Sequence, residues 1–168
     1  TGVGAVVNTA QVQAHHSVAV VGLGGVGLAA LLGARAVGAR EILAVDLHQD
    51  KLELAAHLGA TRTFNASDPD CAEALRAATG GGVDFAFEMA GSVRALDLAW
   101  NITRRGGTTV TAGLAPPNVQ FTLSPVKLVA EERTLKGSYI GSCVPQRDIP
   151  KFIQWYREGR LPVDALLA

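Results

Sequence analysis

The sequence predicts an α/β fold, a doubly wound six-stranded parallel sheet with helices on both faces, and three observations carry that expectation. Short β-branched runs alternate with longer Ala- and Leu-rich segments along the chain, as parallel strands alternate with the helices that connect them. The first of these runs is apolar throughout rather than at every second position, which suits a strand covered on both faces. Glycine-rich punctuation separates the runs, most densely at Gly22-Leu23-Gly24-Gly25-Val26-Gly27. One domain is expected for residues 1–168, since a single core organises about 100–200 residues. No linker, low-complexity tract or repeat divides it.

Taken in order, Thr1-Gly2-Val3-Gly4-Ala5-Val6-Val7 places small and apolar residues at helical spacing and is expected to lead in as a helix. Ser17 to Val21 is the first strand, and Gly25 to about Val37 a helix whose Ala and Gly content lets it lie close on the sheet. Glu41 to Asp46 is the second strand, followed by a helix over Gln49 to Leu58 that Gly59 terminates. Arg62 to Asn65 is a short third strand. A helix then starts at Ser67-Asp68-Pro69, with Pro69 in its first turn, and stops at Gly80-Gly81-Gly82. Val83 to Glu88 is the fourth strand, Val93 to Arg104 a helix, and Gly107 to Ala112 the fifth strand. After Pro116-Pro117, the segment Val119-Gln120-Phe121-Thr122-Leu123 alternates like a half-buried strand. The last strand runs from Leu135 to Ile140, and Arg147 to Glu158 is the closing helix.

Composition excludes several classes. Apolar residues make up 48% and charged residues 18%, and mean hydropathy is +0.23, so the chain carries a core and is not disordered. Lys+Arg and Asp+Glu each total 15, which gives no basic surface for nucleic acid or an anionic membrane. The most apolar stretch, Val18 to Val37, is broken by glycines and Arg35 and reads as strand-turn-helix rather than a membrane span. Cys71 and Cys143 have no metal-like spacing and fit two reduced thiols in a cytoplasmic protein. No signal peptide is expected. The chain opens at Thr1 without a methionine and stops at Ala168 within an apolar run, so both ends are expected to be cut from something longer.

The chemistry begins at Gly22-Leu23-Gly24-Gly25-Val26-Gly27, a G-x-G-x-x-G pattern. Alone it is weak in a chain with 19 glycines. Placed directly after a buried strand and opening a helix, it is the Rossmann dinucleotide fingerprint. Gly22 permits the turn out of the strand, Gly24 leaves room for a pyrophosphate, and Gly27 lets helix and sheet approach. Unpaired N–H groups and about half a positive charge at the helix start then suit the phosphates. Asp46 closes the second strand 46 − 27 = 19 residues past the last glycine, near the expected spacing of about 20. A carboxylate there accepts hydrogen bonds from the adenosine ribose hydroxyls and repels a 2′-phosphate, which favours NAD over NADP. Lys51, in the first turn of the next helix, is placed to reach the same ribose.

With these residues in place, the chain resembles the medium-chain dehydrogenase/reductase family, in its zinc-type alcohol dehydrogenase branch. The resemblance rests on Thr1-Gly2-Val3-Gly4-Ala5, the glycine loop, Asp46 with Asp50-Lys51, Leu58-Gly59-Ala60-Thr61, Gly82-Val83-Asp84-Phe85, Phe87-Glu88 with Gly91, and Leu135-Lys136-Gly137-Ser138. It implies that Val26 presses on the nicotinamide ring and that Asp46 and Lys51 hold the adenosine ribose. Ala90 and Gly91 would border the cofactor, while Ala112-Gly113-Leu114 and Ser138-Tyr139-Ile140 line its nicotinamide half. Two positions depart from the family's habit: Ala112 stands where a larger branched residue is frequent, and Ser142 where a glycine is. The resemblance also places the catalytic zinc in a separate domain that this chain lacks, so no catalytic or metal-ligating residue is expected here. His15, His16, His48 and His57 show no zinc-site spacing.

The expected function is therefore the NAD-binding domain of an enzyme that moves a hydride between an alcohol or aldehyde and NAD, without turnover by the fragment alone. A related polyol, threonine or glutathione-dependent formaldehyde dehydrogenase is an alternative parent. Beyond these stand an S-adenosylmethionine-dependent methyltransferase, which Gly27 disfavours, and a free-standing nucleotide-binding module. The resemblance further implies a homodimer joined through an edge strand at Val119, Phe121 and Leu123.

Overall fold

The computed structural model describes residues 1–167. Six strands form one parallel sheet: β1 (Ser17–Val21), β2 (Glu41–Asp46), β3 (Arg62–Asn65), β4 (Val83–Glu88), β5 (Thr103–Thr111) and β6 (Thr134–Gly137). Their spatial order is β3-β2-β1-β4-β5-β6. The order reverses between β1 and β4, and open α/β sheets hold ligands at such a reversal, beyond the carboxyl ends of the strands. The doubly wound expectation therefore holds in class and in strand count.

Two apolar layers cover the sheet. On one face α2 (Gly25–Ala36) and α3 (Gln49–Leu58) pack through Leu28, Leu31, Leu32, Leu52 and Leu58 onto Val18, Val20, Ile42 and Phe87. On the other, α4 (Cys71–Ala78) and α5 (Val93–Ile102) set Leu75, Ala99 and Ile102 against Ala19, Val21, Leu43, Val45 and Ala86. Every residue of β1 is buried, which accounts for its unbroken apolar run. The lead-in forms as α1 (Gly2–Gly4), continued by a wider π-type turn over Ala5–Thr9, and it packs on α2.

Several boundaries differ from the sequence reading. The helix expected at Ser67-Asp68-Pro69 starts at Cys71 instead. The Asn65 side chain accepts from Ser67 N at 2.8 Å and that of Asp68 from Asp70 N at 2.9 Å, holding two turns ahead of α4. The helix expected to reach Arg104 stops at Ile102, because Thr103 is extended and pairs with Val83. β5 consequently begins at Thr103 rather than Gly107, crosses an irregularity, and ends at Thr111. β6 ends at Gly137, short of Ile140, because Ile140, Gly141 and Ser142 take left-handed φ values of 50°, 63° and 46° that no strand continues.

The largest difference follows β5. Val119-Gln120-Phe121-Thr122-Leu123 is not a strand. Phe121 and Leu123 are half-buried and their neighbours, Val119 included, exposed, so the alternation holds over part of the segment, which pairs with no strand among the described residues. A turn at Pro116, closed by Val119 N on Pro116 O at 3.0 Å, carries the chain off the sheet edge. It leads into α6 (Pro125–Ala130), a helix the pattern reading passed over although Ser124 caps it and Pro125 opens it. The closing helix, α7, spans Pro145–Arg157 rather than Arg147 to Glu158, because Pro145 opens it, Asp148 accepts from Val144 N ahead of it, and Glu158 is its C-cap.

Candidate dinucleotide site

The site grows from the turn between β1 and α2. Gly22 leaves the strand with φ +91°, and its N–H bonds Val45 O at 2.8 Å. A Cβ on Gly27 would lie 1.8 Å from Gly22 O, so only glycine lets α2 come this close to the turn. Gly24 and Gly25 are under no such pressure: a Cβ on either would meet nothing within 4 Å. Gly24 is the N-cap and offers no side chain to the first N–H groups of α2, which the helix itself cannot pair. The result is an unobstructed, donor-rich surface that fits a diphosphate. Val26 stands 40% exposed beside it, whereas the Leu23 side chain is buried in the core and contributes only its backbone.

Asp46 ends β2 against this turn. Its Oδ2 accepts from Leu23 N at 2.7 Å, and its Oδ1 accepts from His48 N at 3.0 Å and contacts His48 Nδ1 at 3.1 Å. Burial pushes the carboxyl pKa up, but these hydrogen bonds together with the charge of Lys51 outweigh it and hold the pKa below the ordinary aspartate value. The group is therefore an anion near neutral pH with acceptor capacity to spare, since a carboxylate offers about four lone-pair positions. Gly22, Asp46, Lys51 and Ala90 line one cleft of about 630 Å³ at the carboxyl ends of β1 and β2, with Leu47, His48 and Arg94 as further walls.

The remaining candidates lie along the same sheet edge but apart from that cleft. Gly91 and Gly113 line a smaller pocket of about 170 Å³ with Thr111 and Phe121. Ala112 follows β5, and its N–H bonds Glu88 O at 3.0 Å; Leu114 beyond it is largely exposed. Ser138 N bonds Thr111 O at 2.8 Å while its hydroxyl is buried against Thr9 Oγ1 at 2.7 Å. Tyr139 and Ile140 project outward. The structure thus gathers Gly22, Asp46, Lys51 and Ala90 and strings the others along the rim.

Two residues of the site were passed over in the sequence. His48 orients Asp46 through both its backbone and its ring. Glu88 is 1% exposed, with its carboxylate beneath the turns that follow β4 and β5. Its signal was available, an acid closing a buried strand as Asp46 does, but two of its three donors are backbone N–H groups that no side-chain pattern reveals. Among the described residues no group of three or more His, Cys, Asp and Glu could hold a metal ion. No described helix is long and apolar enough to cross a membrane.

Such a fold, with a free helix start beside a strand-end acid, defines a nucleotide-binding α/β domain of the Rossmann type. The family profile described as zinc-binding dehydrogenase matches residues 25–158, and the chain belongs to that family. It is 34% identical to S-(hydroxymethyl)glutathione dehydrogenase of Paracoccus denitrificans, over 99% of this chain and 46% of that protein. It is 38% identical to alcohol dehydrogenase 1 of Trifolium repens, over 99% of this chain and 44% of that one. The crystal structure of benzyl alcohol dehydrogenase from Acinetobacter calcoaceticus superposes with a TM-score of 0.94 at 36% identity, covering 98% of this chain and 45% of that structure. The chain spans less than half the length of the curated relatives it matches.

Proposed function

We propose that this chain is the cofactor-binding domain of a zinc-dependent alcohol dehydrogenase and that it holds NAD along the carboxyl edge of its sheet. The supporting observation is the side-chain-free start of α2 at Gly24 and Gly25 beside Asp46, whose carboxylate lines the adjoining cleft. In this reading the first N–H groups of α2 bind the pyrophosphate, and Asp46 with Lys51 binds the adenosine ribose. Ala90 and Gly91 border the middle of the cofactor. Val26, Ala112, Gly113, Leu114, Ser138, Tyr139 and Ile140 border its nicotinamide half. The fixed charge of Asp46 opposes a 2′-phosphate, so NAD is preferred to NADP.

When bound, the nicotinamide accepts or returns the hydride of an alcohol or aldehyde, and the residues of this chain orient the ring and keep it in place. Zinc has no ligand set among the described residues. Its Lewis-acid role therefore belongs, in this reading, to the portion of the relatives' length that the chain does not span. The 168 residues alone bind cofactor without oxidising alcohol. The assembly is a cytoplasmic homodimer built at the rim around Val119, Phe121 and Leu123.

Fluorescence titration with NADH is the direct test. Saturable binding is expected, and Asp46→Ala weakens it roughly tenfold to a hundredfold, the worth of hydrogen bonds to a charged group. Absence of saturation, or an Asp46→Ala variant that binds NADH as well as the parent, removes the reading. Robust zinc-independent ethanol oxidation by the chain removes the claim about turnover.

A further inference from the structure

The carboxylate of Glu88, at the last residue of β4, is buried and serves two separate turns. Its Oε1 accepts from Ala90 N at 2.8 Å and from Gly91 N at 2.6 Å, the turn that follows β4. Its Oε2 accepts from Thr111 Oγ1 at 2.7 Å, at the end of β5. Those two turns also press on each other: a Cβ on Gly113 would lie 2.2 Å from Gly91 N and 2.8 Å from Glu88 Oε2. Gly91 itself takes φ +72°, with the Leu114 carbonyl oxygen 3.2 Å from where its Cβ would stand. A buried carboxylate is costly unless its oxygens are hydrogen-bonded, and here two N–H groups of the turn after β4 and the hydroxyl of the last β5 residue meet that need. Moving either turn relative to the other breaks at least one of these bonds.

We infer that Glu88 is a positioning residue for the nicotinamide half of the cofactor, setting the spacing between the turn after β4 and the turn after β5. The inference rests on the cofactor reading above. Gly91, Ala112, Gly113 and Leu114, apart from the Asp46 cleft, sit on the two chain segments that this one carboxylate joins, while Ala90, whose N–H it also holds, lines the Asp46 cleft as well. Asp46, assigned to the ribose, is held by other bonds, from Leu23 N and His48 N. Loss of Glu88 therefore costs the nicotinamide end more than the adenosine end.

The test compares NADH with AMP, which carries the adenosine end alone. Glu88→Met has similar bulk and accepts no hydrogen bond, leaving Ala90 N–H and Gly91 N–H without their acceptor. It is expected to weaken NADH about tenfold or more while AMP changes by less than about threefold. Glu88→Gln is expected to stay near the parent, because its amide oxygen accepts from the same backbone groups and its NH₂ donates to the Thr111 hydroxyl. Thr111→Val cuts only the tie to β5 and is expected to weaken NADH several-fold and AMP not at all. Equal weakening of NADH and AMP overturns the inference, as does a Glu88→Met variant with parental NADH affinity or a Gln variant as damaged as Met. If Glu88→Met does not fold, the same NADH-to-AMP comparison in Thr111→Val decides. A parent that binds neither ligand removes the cofactor reading itself, whereas a parent that binds both, with equal losses in the variants, leaves that reading standing and removes only this inference.

Discussion

Gly24 and Gly27 look alike in the motif and are required for different reasons. At Gly27 the requirement is internal, since a methyl group would be driven to 1.8 Å from Gly22 O. At Gly24 a methyl group meets no protein atom, and φ of −71° suits any residue. Gly27→Ala is therefore expected to lower stability by about 1–3 kcal/mol, as overpacking does. Gly24→Ala keeps the parent's thermal midpoint and loses NADH affinity instead. Thermal denaturation paired with NADH titration separates the two, and a Gly24→Ala protein that melts early contradicts the assignment. Asp46 carries a further consequence of its hydrogen bonds. Its folded pKa lies below the ordinary value, so the stability it lends is present above the ordinary aspartate range and drains away as pH falls through the folded pKa.

Among the elements, β1, β2, α3, β3 and β4 form over the very residues their patterns indicate. Each is bounded by a glycine, a charged residue or a change of period, and all but the edge strand β3, which has no buried residue, are decided by burial on a known face. The site was legible to the same degree where backbone shape dictates residue type, at Gly22, Gly27 and Asp46. What escaped the sequence depends on contacts made from a distance. The start of β5 is set by the pairing of Thr103 with Val83, the start of α4 by the Asn65 and Asp68 side chains, and the role of Glu88 by three donors on two chain segments. The N-terminus of α7 belongs with these. Asp148, almost fully buried, accepts from Val144 N at 2.8 Å and from Asn8 Nδ2 at 3.1 Å and pairs with Arg147. The Arg147 side chain, foremost, outweighs burial and holds the Asp148 carboxyl well below its usual range. A lowered folded pKa stabilises above the unfolded value and is lost below it. Asp148→Asn is thus expected to reduce the melting temperature near neutral pH and to flatten its decline in acid. Parallel acid limbs for parent and variant would falsify this.

For the whole molecule, the apolar surface is uneven. Leu114, Val126 and Val129 are among the most exposed large apolar side chains, all within the stretch that leaves β5, and Phe121 and Leu123 are only half-buried there. Exposed apolar side chains concentrated in one stretch suit an association surface, and a chain with formal net charge of zero has little long-range repulsion to oppose contact. In the homodimer proposed above, the alternating segment, which finds no strand among the described residues, would be completed by a second copy. Phe121→Lys tests it: sedimentation should return a dimer mass for the parent and a monomer mass for the variant, and equal masses dispose of the idea.

The Gly80-Gly81-Gly82 run has φ values of +67°, +123° and +123°, and no atom lies within 4 Å of a Cβ built on its first two members. It lies between the end of α4 and the start of β4, at the sheet margin opposite the glycine loop. Open space around the first two glycines makes the junction between Gly80 and Gly81 the place where a graft or reporter is expected to be tolerated, away from the proposed cofactor turn.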